Sequence, residues 1–133
     1  MIDYEVKIFN RVRDVAAPLC APNMFVSTVI TEKTTAFPAA SLIEMSNTTV
    51  RRAQSSTPVE NRARIMYQLE VYATSKSKCR SVYAAIDDAM IAMNFTRISG
   101  NYINIPDNTK IFRYVVRYEA EIDRDGNIYR LAA

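Results

Sequence analysis

The hydrophobic pattern changes period once within residues 61–95, and the rest of the chain can be placed around that change. Ala63, Ile65, Tyr67, Leu69, Val71 and Ala73 alternate with Arg62, Arg64, Met66, Gln68 and Glu70. Successive strand side chains point to opposite faces, so this pattern predicts a half-buried strand. After Thr74 and Ser75 the apolar positions become Cys79, Val82, Tyr83, Ile86, Met90 and Met93, the stripe of an amphipathic helix. Ser75 or Ser77 is placed to accept a hydrogen bond from the first-turn N–H groups. A strand, a short link and a helix therefore form the predicted core.

The flanking segments follow the same logic. Asp3 is a candidate cap for a first helix reaching about Leu19, with Tyr4, Ile8, Val12, Val15, Ala16 and Leu19 as its apolar stripe. Pro18 and Pro22 close it, because neither donates the next backbone bond. Residues 24–31 are β-branched and aromatic and predict a strand. Residues 32–36 predict a turn and Pro38 the start of a second strand, so 24–46 is expected to be a hairpin. Residues 47–60 show no clear period and are expected to form a long projecting loop carrying Arg51 and Arg52. A strand over 95–105 is expected to bend at Gly100 and Asn101, and Pro106, Asp107 and Asn108 mark the next turn. Residues 111–123 alternate again, with Phe112, Tyr114, Val116, Tyr118, Ala120 and Ile122 on one face. Asp125-Gly126 signals a tight turn into a short edge strand over 128–131.

The expected fold class is α+β: a mainly antiparallel four- to five-stranded sheet with two helices on one face, in the order α-β-β-β-α-β-β plus a short C-terminal hairpin. The 133 residues read as a single domain, 1–133. Apolar residues make up 49% and charged residues 23%, as expected of a globular chain, and the net charge of +3 is too small for a phosphate-dominated binder. No apolar run approaches the ~18 residues that cross a bilayer, so no membrane partner is expected. The charged N-terminal stretch is unlike a signal peptide, which suggests synthesis and assembly in the cytoplasm.

Candidate chemistry is sparse. The chain has no histidine, which removes Ser-His-Asp and Cys-His nucleophile arrangements. Its two glycines, Gly100 and Gly126, belong to no phosphate-cradling loop. No metal site, cofactor site or catalytic set is expected, since Cys-x-x-Cys pairs and carboxylates at ligand spacing are missing from the sequence. Cys20 and Cys79 each lie in an apolar pattern and read as buried free thiols, with a disulfide as the alternative. Asp87 and Asp88, adjacent on a helix, point about 100° apart and read as a solvated face. Glu119 and Glu121 share a strand face with Arg117 and read as members of a cross-strand salt bridge. Arg51, Arg52, Arg62 and Arg64 remain as a candidate interface to a neighbouring subunit or to a structure beneath it. Electrostatic contact with DNA phosphates is the alternative, through a monomeric basic nucleic-acid-binding adaptor.

Several segments resemble the tail-terminator, or tail-completion, proteins of tailed bacteriophages, also labelled head–tail joining or minor capsid proteins. Phe37-Pro38-Ala39-Ala40-Ser41-Leu42-Ile43-Glu44 resembles that family's Pro-led second strand. Tyr67-Gln68-Leu69-Glu70-Val71-Tyr72-Ala73 is similar to its central strand, and the following helix ends in Asn94-Phe95-Thr96-Arg97. Asn94 stands where the family usually has Gly, and both residues tolerate the left-handed conformation that ends a helix. The resemblance implies a non-enzymatic virion protein of the tail end or neck, forming a homo-hexameric ring on the last ring of tail-tube protein. Its implied partners are the tail-tube protein and the head-side connector or stopper, with room for non-specific contact with double-stranded DNA passing through the ring. Closing a ring requires unlike surfaces of neighbouring copies to meet.

Overall fold

The computed structural model describes residues 2–27, 36–50, 62–103 and 111–130. The segment with the period change folds as its pattern predicts. Strand β3 (Arg62–Ala73) buries Ala63, Ile65, Tyr67, Leu69, Val71 and Ala73, all at most 2% exposed. Ser75 caps helix α2 (Lys76–Ala92) by accepting a hydrogen bond from the Lys78 N–H at 3.2 Å. The helix buries Cys79, Val82, Ile86 and Met90. Asn94 ends it at φ 72, with the Phe95 N–H returning to the Met90 carbonyl at 3.1 Å, a left-handed C-terminal cap. The Asn94 amide also donates to the Ile128 carbonyl at 2.9 Å, tying the helix end to the C-terminal hairpin.

Helix α1 (Glu5–Ala16) continues as a 3-10 turn (Ala17–Leu19), so helical structure reaches Leu19 as expected. The Asp3 carboxylate accepts from the Glu5 N–H at 3.2 Å. Only Ile8, Val12 and Ala16 of the expected stripe are buried within α1; Val15 and Leu19 are both 41% exposed. Val15 sits at the margin of the stripe, and the tighter 3-10 winding after Ala16 turns Leu19 away from it.

The sheet is mixed, with strand order β1-β2-β3-β5-β4 and β6 pairing with β5. Strand β5 (Phe112–Asp123) runs antiparallel to β3, to β4 (Thr96–Ile103) and to β6 (Ile128–Tyr129). The register between β3 and β5 runs unbroken from Arg62↔Asp123 to Ala73↔Phe112, which aligns their apolar faces under the helices. The expected hairpin over 24–46 is not formed. Strand β1 (Phe25–Val26) pairs in parallel with β2 (Ala39–Thr49), through Phe25↔Ala40 and Val26↔Ser41. A β-branched run signals a strand but not its direction. Here Phe25 is fixed by stacking on Phe9 of α1, with ring centroids 4.8 Å apart. Residues 28–35, which held the rest of the expected strand and turn, lie outside the described residues.

Two boundaries also differ from the sequence reading. Asn47, Thr48 and Thr49 belong to β2, opposite Ile65, Arg64 and Ala63. Polar residues can hold a strand when the partner supplies the ladder. Val50 follows, its N–H donating to the Arg62 carbonyl at 3.0 Å, and the remainder of the expected loop, 51–60, lies outside the described residues. In β4 the register shift falls between Arg97 and Ser99, ahead of Gly100. Gly100 serves packing instead: a Cβ there would come 2.6 Å from the Tyr114 hydroxyl. Tyr114 in turn stacks on Tyr83 of α2 at 4.1 Å.

Candidate functional site

The sheet face away from the helices carries the Arg62/Arg64 pair singled out from sequence. Arg51 and Arg52, the other two candidates, lie outside the described residues. Arg62 is largely engaged within the fold. Its guanidinium pairs with Glu121 at 3.5 Å and lies 3.9 Å from the centroid of the Tyr129 ring. Glu121 is 5% exposed, so this contact compensates a buried charge. Arg64 is exposed and has no hydrogen bond or ion pair among the described residues. The salt bridge read around Glu119, Glu121 and Arg117 exists in altered form: Arg62 takes Glu121, while Arg117 donates to the Gln68 side-chain oxygen at 3.1 Å.

Glu70 is the centre of a second network on that face. It is 5% exposed and accepts from Arg113, from the Gln68 amide at 3.1 Å and from the Tyr72 hydroxyl at 3.4 Å. Across β3 and β5, the cations Arg62, Arg64, Arg113 and Arg117 are interleaved with Glu70, Glu119, Glu121 and Asp123. The face is therefore close to charge-balanced, unlike the one-sign surface that phosphate binding needs.

On the helix side, two buried tyrosines carry hydroxyls that must be satisfied. Tyr67 donates to Glu44 at 3.2 Å and Tyr118 donates to Asp87 at 2.7 Å. Burial first, and the carboxylate beside each, push both phenols far above their ordinary range. Asp87 thus corrects the sequence reading. It is not part of a solvated face but ties α2 to β5, and Arg97 of β4 reaches it at 3.5 Å. Asp88 is exposed, as expected.

Neither cysteine is poised for chemistry. Both are free thiols, with Cys79 buried and Cys20 half-buried. Burial pushes each up to about 11, so the nucleophilic thiolate is scarce at neutral pH.

The fold also brings together groups that are distant in sequence. Carboxylate oxygens of Asp3, Glu5 and Glu44 all lie within 4.8 Å of one another, the one acidic group among the described residues close enough to share a cation. Burial, then repulsion from Glu5 and Asp3, raises the Glu44 carboxyl, against the hydrogen bond from Tyr67. Exposed acidic groups of this kind often hold no ion, and no metal site is assigned here. A cleft of about 160 Å³ lies between α1 and the β5–β6 turn, floored by Ile8, Met93, Ile122 and Ile128 and rimmed by Lys7 and Arg11. It falls short of the ~300 Å³ at which small-molecule sites begin. At its end, Gly126 (φ 85) lies under Tyr4, whose hydroxyl donates to the Arg124 carbonyl at 2.7 Å.

No family model and no curated protein sequence matches this chain. Among solved structures, the chain is similar to one from the virion of a native gene transfer agent (GTA) particle. The TM-score is 0.60 at 10% identity, over 87% of this chain and 91% of that one. At that identity the likeness is one of fold, and it spans nearly the whole of both chains.

Proposed function

We propose that this chain is a structural virion protein of a tailed phage or phage-like particle. Its specific role in this reading is tail termination: a hexameric ring of copies caps the tail tube and joins it to the head-side connector. The observation that carries the reading is the fold shared, nearly end to end, with a chain of a gene transfer agent virion. The segments around Pro38, Tyr67 and Asn94 that resemble tail terminators supply the finer assignment. The charge-balanced sheet face and the two high-pKa thiols favour a protein that works by contact over one that turns over a substrate. Its partners in this reading are further copies of itself, the tail-tube protein below and the connector above, with passing DNA touched non-specifically.

Disruption of the gene in the producing phage or prophage tests the role. The expected result is tube polymers of uncontrolled length and full heads without joined tails, restored by supplying the chain in trans. Normal particles of normal tail length from the disrupted strain would remove the tail-termination role.

A further inference from the structure

Two charged patches sit on opposite sides of the sheet, one where β2 runs on past the two residues that β1 covers and one at β4, and among the described residues neither has a counter-charge from its own chain. At the β2 margin are Asp3, Glu5 and Glu44, with their carboxylates within 4.8 Å of one another. No cation pairs with any of them among the described residues. The N-terminus of α1 offsets part of the repulsion through the Glu5 N–H on Asp3. Next to these acids in sequence, Val6 is 71% and Met45 is 49% exposed.

At the β4 margin, α2 opens with Lys76, Lys78 and Arg80, all exposed, and its first turn holds no acid. Cations there oppose the helix dipole, and Lys76 and Arg80, four residues apart, repel each other. The Lys76 ammonium lies 5.1 Å from the Tyr102 ring centroid, which places the patch beside β4. Asp87, further along α2, is already taken by Tyr118 and Arg97. Ile98, left unpaired at the β4 bulge, is 50% exposed on the same margin.

We propose that these patches are the two halves of a head-to-tail contact between copies of this chain, the acidic β2 margin of one copy meeting the basic β4 margin of the next. Strands β2 and β4 are three strand spacings apart, about 14 Å, so the patches cannot neutralise each other within a copy. Their placement on opposite margins means that satisfying both takes a different neighbour on each side. That is a heterologous contact, and repeated with the right rotation it closes a ring. A second copy fits better than nucleic acid, because it supplies both complements in equal number, whereas phosphate would satisfy the cations and be repelled by the acids. The exposed Ile98 adds apolar area at the β4 margin. This inference deepens the assembly reading above and rests on it for its setting in a particle.

Charge reversal tests it in solution with the full chain. One variant carries Asp3→Lys and Glu5→Lys; the other carries Lys76→Glu and Arg80→Glu, changes that suit a helix N-terminus. Glu44 is kept because it holds Tyr67. Sedimentation velocity of the wild type at low salt should show a closed multimer that dissociates as salt rises. Each reversed variant should run as a folded monomer. An equimolar mixture of the two should reassemble, since each reversed margin now finds its complement on the other variant. Neutral variants, Asp3→Asn with Glu5→Gln and Lys76→Gln with Arg80→Gln, serve if a reversal unfolds the chain, and should weaken assembly at least tenfold. A wild type that stays monomeric up to its solubility limit overturns the proposal, as does assembly unchanged by reversal or a mixture that does not recover. Loss of binding to a double-stranded DNA fragment in the Lys76→Glu/Arg80→Glu variant, with sedimentation unchanged, would assign the cations to nucleic acid and also overturn it. None of these outcomes bears on whether the chain is in the particle, which is read from the particle itself.

Discussion

The contact between Asp87 and Tyr118 makes an unequal prediction about its two ends. Tyr118 is fully buried and donates its hydroxyl to Asp87 at 2.7 Å, whereas the Asp87 side chain is 18% exposed. Tyr118→Phe removes the donor and leaves a carboxylate that water and Arg97 still reach. Its expected cost is that of one hydrogen bond to a charged group, about 1.5 kcal/mol. Asp87→Ala leaves the hydroxyl buried without an acceptor. The desolvation penalty of that orphan adds to the lost bond, giving about 3 kcal/mol, less a few tenths regained from the helix propensity of Ala. In the double variant there is no hydroxyl to orphan, so its cost should be about 1.5 kcal/mol, half that of Asp87→Ala alone. Unfolding entropy for 133 residues is about 0.28 kcal/mol/K, so these costs lower Tm by roughly 5, 10 and 5 °C. Calorimetry or thermal circular dichroism on the three variants completes the cycle. Additive costs, or Asp87→Ala no worse than Tyr118→Phe, would refute the reasoning and return Asp87 to the solvated face.

Three further outcomes follow from the same geometry. Gly126→Ala places a Cβ 2.8 Å from the Tyr4 ring at φ 85 and should cost about 2 kcal/mol, falling to about 1 kcal/mol in a Tyr4→Ala background, as measured by urea denaturation. Glu44 has a raised carboxyl pKa, so its contribution to stability is present at low pH and lost as pH rises through that value; Glu44→Gln, which keeps an acceptor for Tyr67, should raise Tm at pH 7, by an amount that shrinks on acidification. At Asp123 burial is the largest single effect and raises the carboxyl, but the hydrogen bonds from Tyr129, Asn127 and the Asp125 N–H together outweigh it and hold the group below its usual range. Its contribution is therefore present above the unfolded carboxylate pKa and lost as pH falls through the folded value, so Asp123→Asn should be less stable at neutral pH and converge with the wild type in acid.

The parts of the fold that were legible in the sequence are those where one face of an element meets the core. Along β3 and β5 every second residue is apolar, and the period fixes both the strand and its buried side. Asn94 was legible because few residues tolerate the left-handed conformation. The parallel pairing of β1 was not, because a run of apolar residues carries no direction and a two-residue strand is set by what Phe25 packs against. Residues 47–49 looked like loop because Asn and Thr compete with the ladder locally, and only the register with β3 overrides that. The same limit applies to the sites. Arg62 looked like a surface contact, since nothing in its neighbourhood announces Glu121 and Tyr129, which lie more than fifty residues away. The Asp3, Glu5 and Glu44 group likewise forms only when α1 docks beside β2.

The central claim is that this chain is a built-in part of a virion. Particles purified from the producing strain, analysed by quantitative mass spectrometry and by gold-labelled antibody in the electron microscope, test it most directly. The account predicts one ring of copies per particle, labelled where the tail meets the head. Intact, infectious or DNA-transferring particles that contain none of the chain would contradict it.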